Sequence, residues 1–303
     1  MNSKIAFVIL NYKNCTDTIQ CIESISNLSI TDKLIVIVDN GSKDGSTDTL
    51  NELFGKVKDI VIIPLEENVG FSRGNNAGYK YVREHYDADF VVITNNDVLF
   101  PQSDFSARLQ KIYEETRFMV YGPDIFVRKT GEHQSPMYLE LPSVDTLEKE
   151  LDMYRYYEDK PKKWVNRRKI QIVKNRQCCK STFFNTIYSI IKNSHAIYKN
   201  NRHQDCCLQG ACLIVSKEYL EKEEKMFSPE PFLYCEELLL YMRCISKKYK
   251  TVYDPSIIIF HEDSSTVKKI TGNAIEKAKF TLPYHVESLN IVIQYLNRIT
   301  DGR

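Results

Sequence analysis

The stretch DFVVITNNDVLF, residues 89–100, predicts a buried strand that ends in polar side chains. Phe90–Ile93 is apolar and mostly β-branched, which is typical of a strand inside a sheet. Polarity changes abruptly at Thr94, and two asparagines then lead to Asp97. Because open α/β sheets bind ligands beyond the carboxyl ends of their strands, an Asp in this position indicates a cation site. These residues alone leave an Asx-rich turn as the alternative.

The same pattern, an apolar run followed by polar residues, occurs twice earlier in the chain. Ile5–Leu10 leads into Asn11 and Tyr12, and Leu34–Val38 leads into Asp39. Segments with helical periodicity separate these runs, and this alternation predicts an α/β fold with a mostly parallel sheet. The polar residues that follow the strands then meet at the carboxyl edge of the sheet, where such folds bind nucleotides.

Later segments continue the alternation, with a break in the middle of the chain. We expect strands at Ile60–Leu65, Met119–Gly122, Leu208–Val215 and Ile257–Phe260, and helices at Glu236–Lys247 and Leu282–Ile299. From Asp145 to Asp205 the alternation stops, and the segment is rich in Lys, Arg, Tyr and Asn. This segment indicates an insertion without a core of its own, which divides the chain into residues 1–144, 145–205 and 206–303.

Composition excludes several classes of protein. Of the 303 residues 43% are hydrophobic and 27% are charged, which is ordinary for a globular protein, and the formal net charge of +1 gives no global attraction to nucleic acid. No apolar run approaches the roughly 20 residues of a membrane span, and the first apolar run is typical of a strand, not a secretory signal. The nine cysteines then indicate reduced thiols in a cytoplasmic protein. The cysteines near His203 lack a paired C-x-x-C spacing, which disfavours a zinc site.

Four motifs carry a resemblance to a known family. VILNYKN (Val8–Asn14), VDNGSKDGS (Val38–Ser46), NVGFSRGNNAG (Asn68–Gly78) and TNNDV (Thr94–Val98) resemble family 2 glycosyltransferases with the GT-A fold, most closely the bacterial rhamnosyltransferase-like branch. The resemblance continues in QGACLIV (Gln209–Val215), FLYCEELLLYMR (Phe232–Arg243) and HEDSS (His261–Ser265). It implies that residues 1–144 bind a nucleotide sugar and that 206–303 bind the acceptor and carry catalysis.

The resemblance also implies roles on the donor side. Asn11 and Tyr12 would flank the nucleotide base, and Asp39 would bond the base or the ribose. The residues that would line the nucleotide and its diphosphate are Asn68, Arg73, Asn75 and Asn96. Arg73 is a natural partner for an anion. The donor would be a nucleoside-diphosphate sugar, with uridine and thymidine both open as the base.

The metal and the catalytic acid are implied in the same way. Asp97 would be the main surviving carboxylate of a DxD-type motif, and His261 would be a second ligand to Mn²⁺ or Mg²⁺. Glu236 and Glu237 match the family's acidic pair, in which the second acid deprotonates the acceptor hydroxyl. The chain departs from the family at Leu239, where another acid is common. An acidic pair at a helix start, favoured by the helix dipole, is the alternative for the two glutamates.

The resemblance predicts an inverting glycosyltransferase that acts on a glycan or lipid-linked glycan in polysaccharide synthesis. A degenerate relative that binds sugar nucleotides without turnover is one alternative, prompted by Leu239. A nucleotidyltransferase is another, although Val8–Asn14 has no glycine for a phosphate loop. A dehydrogenase is disfavoured because no G-x-G-x-x-G follows the first strand.

The middle segment suggests peripheral membrane contact. From Lys160 to Arg202 there are about a dozen basic residues and no acidic ones, with Trp164 among them, and Phe183–Ile191 is aromatic and aliphatic. Such a segment suits the surface of an anionic membrane. A solvated basic lid, or a groove for a negatively charged acceptor, is the alternative.

Overall fold

The computed structural model describes residues 3–178, 199–262 and 271–301. In this part of the chain ten strands form one sheet. The strands are β1 Ile5–Asn11, β2 Lys33–Asp39, β3 Ile60–Pro64, β4 Phe90–Asn95, β5 Val98–Leu99, β6 Val120–Val127, β7 Glu132–His133, β8 His203–Gln204, β9 Cys212–Ser216 and β10 Thr251–His261. The helices are α1 Cys15–Ser26, α2 Ser46–Phe54, α3 Phe71–His85, α4 Phe105–Thr116, α5 Val144–Glu158, α6 Pro161–Cys178, α7 Lys217–Lys222, α8 Glu236–Lys247 and α9 Ala274–Asp301.

The sheet is mostly parallel, as the sequence predicts. Its order is β3-β2-β1-β4-β9-β6-β10-β5, with β7 beside β6 and β8 beside β10. β1 is parallel to β2 and β4, and β2 is parallel to β3. β9 is antiparallel to both β4 and β6, and β10 is parallel to β6, so the six long strands other than β9 share one direction. This mixed α/β arrangement is consistent with the GT-A fold.

Both faces of the central strands are buried. Along β1 the side chains of Phe7 and Ile9 join one hydrophobic cluster, with residues of α1 and α4, and Ala6 and Val8 join another, with residues of α3. Alternate residues of a strand point to opposite faces, so a strand covered on both sides must be continuously apolar. This explains why the apolar runs of the sequence predict the central strands well.

The helices of the middle segment pack onto the C-terminal ones. Leu147 and Leu151 of α5 share a buried cluster with Leu239 of α8 and with Leu289 and Val292 of α9. This packing suits an insertion that has no separate core, although the division into residues 1–144, 145–205 and 206–303 stays a prediction.

Trp164 is buried, although the sequence analysis expects it in a segment that contacts the membrane. It is 9% exposed and packs with Ala278 and Leu282 of α9. Burial in this cluster removes the indole from any surface, so membrane contact would have to come from other residues. The predicted apolar stretch Phe183–Ile191 lies outside the described residues. Within the described ranges no helix is sufficiently long and apolar to pass through a membrane.

Candidate functional site

Asp39 is the centre of a hydrogen-bond network at the carboxyl end of β2. Its Oδ1 accepts from Asn11 Nδ2 at 3.0 Å, and the hydroxyls of Ser42 and Thr47 also donate to the carboxylate. Asn11 is completely buried, and its Oδ1 accepts from Thr18 at 2.8 Å. Asn11 therefore holds Asp39 in place, although the sequence analysis places it at the nucleotide base.

Tyr12 directly follows β1 at the carboxyl edge of the sheet. It is half-buried, and Lys13 Nζ lies 5.3 Å from the centre of its ring. The pKa of Tyr284 of α9 is raised by burial and, to a lesser extent, by Glu287 and Tyr12. An aromatic ring at this edge can stack on a nucleotide base.

Asn40, which the sequence analysis does not assign to the site, organises the turn that carries Asn68. Asn40 Nδ2 donates to Asn68 Oδ1 at 3.0 Å and to the Gly70 carbonyl at 3.1 Å, while Val69 N donates to Asn40 Oδ1 at 3.0 Å. Gly70 has a φ of 87°, and a Cβ there would lie 2.5 Å from the carbonyl oxygen of Phe232. Only glycine allows this approach.

The start of α3 carries the predicted diphosphate residues. Phe71 N donates to the Phe232 carbonyl at 2.7 Å, which ties the helix to the loop before the acidic pair. Arg73 is exposed and forms no ion pair within 4 Å among the described residues. Asn75 is 1% exposed and donates to the Phe71 carbonyl at 3.0 Å, but its Oδ1 has no hydrogen-bond partner in the described part of the chain.

Asp97 and His261 are brought together by the short strand β5. His261 pairs with Val98 across the antiparallel β5–β10 ladder, and this places His261 Nε2 3.3 Å from Asp97 Oδ1. Both side chains are more than nine-tenths buried. Gln134 Oε1 lies 2.8 Å from His261 Nδ1, so the ring donates there. The sequence analysis does not predict Gln134, which lies far from both residues in the sequence.

This pair fits a divalent cation. With its Nδ1 turned to Gln134, the His261 ring directs Nε2 toward the Asp97 carboxylate, and a cation between the two atoms could be bound by both. No cluster of three or more His, Cys, Asp or Glu suited to a metal occurs among the residues that the structure describes. A cation held by Asp97 and His261 would therefore need further oxygen ligands from phosphate or water.

Asn96 faces away from this pair. It is 5% exposed, and its Nδ2 donates to the Asn14 carbonyl at 3.1 Å and to Thr18 Oγ1 at 2.9 Å. Both acceptors belong to the start of α1. Its amide group therefore supports the first helix, and its predicted role in nucleotide binding would be indirect.

The acidic pair begins α8, directly after a strained turn. Tyr234 and Cys235 have φ values of 73° and 61°, and neither is a glycine. Such conformations cost about 1–3 kcal/mol each and cluster at functional sites. The helix N-terminus favours the negative charge of Glu236 and Glu237.

Glu237 is held by a contact with Gly210. Gly210 N donates to Glu237 Oε1 at 3.2 Å, and a Cβ on Gly210 would lie 2.4 Å from the same oxygen. Asn95 N donates to the Ala211 carbonyl at 2.9 Å, so the Gly210 segment lies beside the strand that leads to Asp97. The glutamate and the predicted metal ligands therefore share one edge of the sheet.

The two glutamates differ in their surroundings. Burial raises the pKa of Glu237. Burial, together with the charge of Glu237, raises the pKa of Glu236 well above its usual range. Glu236 Oε2 has no hydrogen-bond partner among the described residues. The pKa of Glu236 is thus raised by two causes and that of Glu237 by burial, which makes Glu237 the better candidate for a base.

Both glutamates line a cavity of about 300 Å³ between α5, α8 and α9. Its walls include Tyr154, Tyr234 and His285. The His285 ring stacks between the two tyrosines, with centroid distances of 4.3 Å to Tyr154 and 3.9 Å to Tyr234. Burial, and to a lesser extent the charge of Arg168, lowers the pKa of His285 to about 4, which keeps it neutral. Glu150 adds a third carboxyl group to the lining. A cavity with aromatic walls and several carboxyl groups can hold a sugar and its hydroxyls.

Comparisons with known proteins were made by sequence and by fold. A family model for "Glycosyl transferase family 2" matches residues 7–199. A search of curated proteins gave no match. A crystal structure of S. aureus TarS 1-349 has a TM-score of 0.48 and 12% identity, and the alignment covers 97% of this chain and 71% of TarS. For TarS 1-349 in complex with UDP the TM-score is 0.48, the identity is 13%, and 86% of this chain aligns with 59% of TarS.

The family match extends from the first strand through the donor-side motifs and Asp97 to the end of the middle segment. It covers more than half of the chain, so the chain belongs to glycosyl transferase family 2.

Proposed function

We propose that this family 2 member is an inverting glycosyltransferase that moves a sugar from a nucleoside-diphosphate donor to a hydroxyl of a glycan acceptor. The observation that carries the proposal is Glu237. Its carboxylate accepts from Gly210 N, lines the 300 Å³ cavity, and lies at the sheet edge that also carries Asp97. A buried carboxyl group with a raised pKa, at the wall of a cavity that fits a sugar, suits a general base.

In the proposed reaction Glu237 accepts the proton of the acceptor hydroxyl as its oxygen attacks the anomeric carbon. The bond from that carbon to the diphosphate breaks, and its electron pair leaves with the diphosphate. A single displacement from the opposite face inverts the anomeric centre. Glu236, whose pKa is raised by burial and by the charge of Glu237, would in its protonated form donate a hydrogen bond to a neighbouring acceptor hydroxyl.

The donor would bind across the carboxyl ends of β1, β2 and β4. Tyr12 would stack on the base, Asp39 would accept from the base or ribose, and Arg73 would pair with the diphosphate. Asn68 and Asn75 would also line the donor site. Asn11 would act by holding Asp39, and Asn96 by supporting the start of α1. UDP- and dTDP-linked sugars both suit these contacts, and the motifs favour the rhamnosyltransferase-like branch.

A divalent cation, Mn²⁺ or Mg²⁺, would bind to Asp97 and His261. When bound, it would neutralise charge on the departing diphosphate. Gln134 would then orient His261 through Nδ1.

We expect Asp97→Ala to abolish metal-dependent turnover at saturating Mn²⁺ and Mg²⁺ and to leave the melting temperature without metal close to that of the wild type. Unchanged turnover would remove the metal site from Asp97.

The acceptor would be a glycan or a lipid-linked glycan used in polysaccharide synthesis. Residues 206–303 would supply most of the acceptor side, and exposed basic residues of α6 would allow peripheral contact with an anionic membrane. The degenerate, non-catalytic alternative rests on Leu239. That residue is 1% exposed within a hydrophobic cluster, so its side chain serves packing and does not favour the alternative.

The first experiment is a thermal-shift panel of nucleoside diphosphates with and without Mn²⁺, since a ligand that binds the folded state raises the melting temperature. The second measures release of nucleoside diphosphate with and without a glycan acceptor. Release that depends on the acceptor supports transfer. Binding without any release in the presence of acceptors would support the non-catalytic alternative.

A further inference from the structure

A second cavity, of about 900 Å³, lies between the beginning of α6 and the beginning of α9. It is separate from the cavity that contains Glu237, and the two share no lining residue. Five of its lining residues are lysines: Lys160, Lys162, Lys163, Lys169 and Lys279. Only two are acidic.

Both acidic residues are already paired. Asp159 lies 2.9 Å from Lys160 Nζ, and Glu276 lies 2.7 Å from Lys279 Nζ. The other three lysines, Lys162, Lys163 and Lys169, are exposed and form no salt bridge within the described part of the chain. One cavity therefore holds three ammonium groups whose charge is not compensated, in a protein whose formal net charge is +1. Such a concentration of positive charge attracts anions.

The two arginines of α6 whose side chains the structure describes are used differently. Arg167 lies 5.4 Å from the ring centre of Tyr157, and Arg168 lies 5.7 Å from that of Trp164. These contacts place the two guanidinium groups on aromatic faces outside the cavity lining. Of the basic side chains of α6 that the structure describes, the lysines are thus those that a ligand in the cavity would meet.

The lining also contains neutral groups beside the lysines. Val165, Ile275 and Pro161 supply apolar surface, and Asn166 supplies an amide. Lysine is a compact point charge suited to phosphate oxygens, and apolar side chains can cover the carbon atoms attached to the phosphate. The ligand class that matches is a phosphate or diphosphate ester.

The two cavities lie along the same pair of helices. On α9, Lys279 lines the lysine cavity and His285 lines the cavity of the acidic pair. Six residues of helix separate them, or roughly 9 Å along the axis. On the other side, Tyr154 of α5 lines the cavity of the acidic pair, and Asp159, just after α5, lines the lysine cavity. This spacing suits one molecule with a reactive sugar at one end and a phosphate at the other.

We infer that the lysine cavity binds the phosphate or diphosphate of the acceptor while an acceptor hydroxyl reaches Glu237. The inference rests on the proposed function for the role of the cavity that contains Glu237. The anion site itself is defined by Lys162, Lys163 and Lys169 and can be tested without turnover.

The test compares two triple variants with the wild type. Lys162→Gln, Lys163→Gln and Lys169→Gln remove the three charges of the cavity. The matched control, Lys56→Gln, Lys58→Gln and Lys111→Gln, removes three exposed charges near α2 and on α4 that form no salt bridge with a described residue. Binding of inorganic pyrophosphate is measured by calorimetry in EDTA at low salt. We expect the cavity variant to bind on the order of tenfold more weakly, about 1.4 kcal/mol, and the control variant to match the wild type.

A flotation assay identifies where the phosphate comes from. Wild type and variants are mixed with vesicles of anionic phospholipid. If the cavity variant loses pyrophosphate binding, the anion site is supported, and loss of flotation as well supports a phosphate carried on a lipid. If it loses only flotation, the cavity is a membrane contact and the inference is overturned. If both triple variants bind pyrophosphate like the wild type, the inference is also overturned.

Turnover separates this inference from the proposed function. With a phosphate-bearing acceptor, the cavity variant should show a KM raised on the order of tenfold at an unchanged kcat, and its KM for the nucleotide sugar should stay constant. A protein with no turnover on any acceptor, but with pyrophosphate binding that depends on the three lysines, would refute the glycosyltransferase proposal and retain the anion site.

Discussion

Glu236 and Glu237 are neighbours with the same chemistry, and their surroundings give them different roles. Glu237 accepts a backbone hydrogen bond from Gly210, whereas Glu236 has a buried oxygen without a partner in the described residues. We expect Glu237→Gln to lower kcat by on the order of 10²-fold or more, because an amide cannot accept the proton of the acceptor. Donor affinity, measured by calorimetry, should persist.

Glu236→Gln is the matched control for that variant. Glutamine resembles a protonated glutamate, so kcat should stay near the wild-type value. A dead Glu236→Gln and an active Glu237→Gln would reverse the assignment within the pair, and activity in both variants would refute the mechanism.

Gly210 is required because of a close approach and not because of its backbone conformation, since its φ is not positive. A methyl group there would displace the Glu237 carboxylate, so we expect Gly210→Ala to lower both kcat and the melting temperature. In a Glu237→Ala background the conflict disappears, and Gly210→Ala should then have little effect on the melting temperature. An equal loss of stability in both backgrounds would show that Gly210 acts through something other than Glu237.

At the scale of the helix, α8 explains the departure of this chain from the family pattern. Leu239 is buried against Leu147 of α5 and Leu289 of α9, in the layer that joins the middle segment to the rest of the protein. An acid in this position would lie unpaired in an apolar cluster.

We expect Leu239→Asp to destabilise the protein by about 3–5 kcal/mol, without a gain in activity. Leu239→Met, which conserves volume, should cost less than about 1.5 kcal/mol. Chemical denaturation measures both, and a stable Leu239→Asp variant with higher turnover would show that the acid belongs to the site.

The elements that the sequence predicts best are those whose pattern is set by burial alone. β1, β2 and β4 follow from continuous apolar runs because both faces of these strands are covered. β10 is predicted only from Ile257, because Asp254 and Pro255 interrupt the apolar pattern. The structure accommodates them by a shift in register between Tyr253 and Ile258. α9 likewise begins at Ala274, well before the predicted start at Leu282, and it contains Pro283 in its interior.

The candidate site is predictable only where a side chain follows a strand. Asp39 and Asp97 are predicted because each follows an apolar strand and because their motifs resemble those of the family. Gln134 and the Gly210 contact depend on segments that are distant in sequence and meet only in the folded sheet. The pairing of His261 with Asp97 was expected from the resemblance, and the β5–β10 ladder supplies the physical reason for it.

At the scale of the whole molecule, charge is distributed unevenly even though the formal net charge is +1. Lysines without a salt bridge to any described residue collect at the beginning of α6, while two buried carboxyl groups collect at the beginning of α8. Arg73 adds an exposed cation on the donor side. This separation of positive groups from the acid pair suits the proposed reaction, in which a proton moves at one place and phosphates are held at others.

The stability of the whole molecule should depend on pH through Glu236. Its pKa in the folded state is raised well above the unfolded value of about 4.3, so the folded state binds more protons. The stability linked to this group is fully present below about pH 4.3 and is lost as the pH rises toward the folded pKa. Glu236→Gln removes the titrating group and keeps the shape. We therefore expect the variant to melt at a higher temperature than the wild type at pH 8, with a difference that shrinks as the pH falls toward 5.

The matched control is Glu224→Gln, because Glu224 is exposed. This control should follow the wild type at every pH, since its carboxyl group stays in water in both states. Differential scanning calorimetry between pH 5 and pH 8 makes the comparison. A constant difference between Glu236→Gln and the wild type over this range would mean that Glu236 titrates alike in the folded and unfolded chains. Glu236 would then be ionised in the folded enzyme, and its proposed part as the neutral donor beside Glu237 would be wrong.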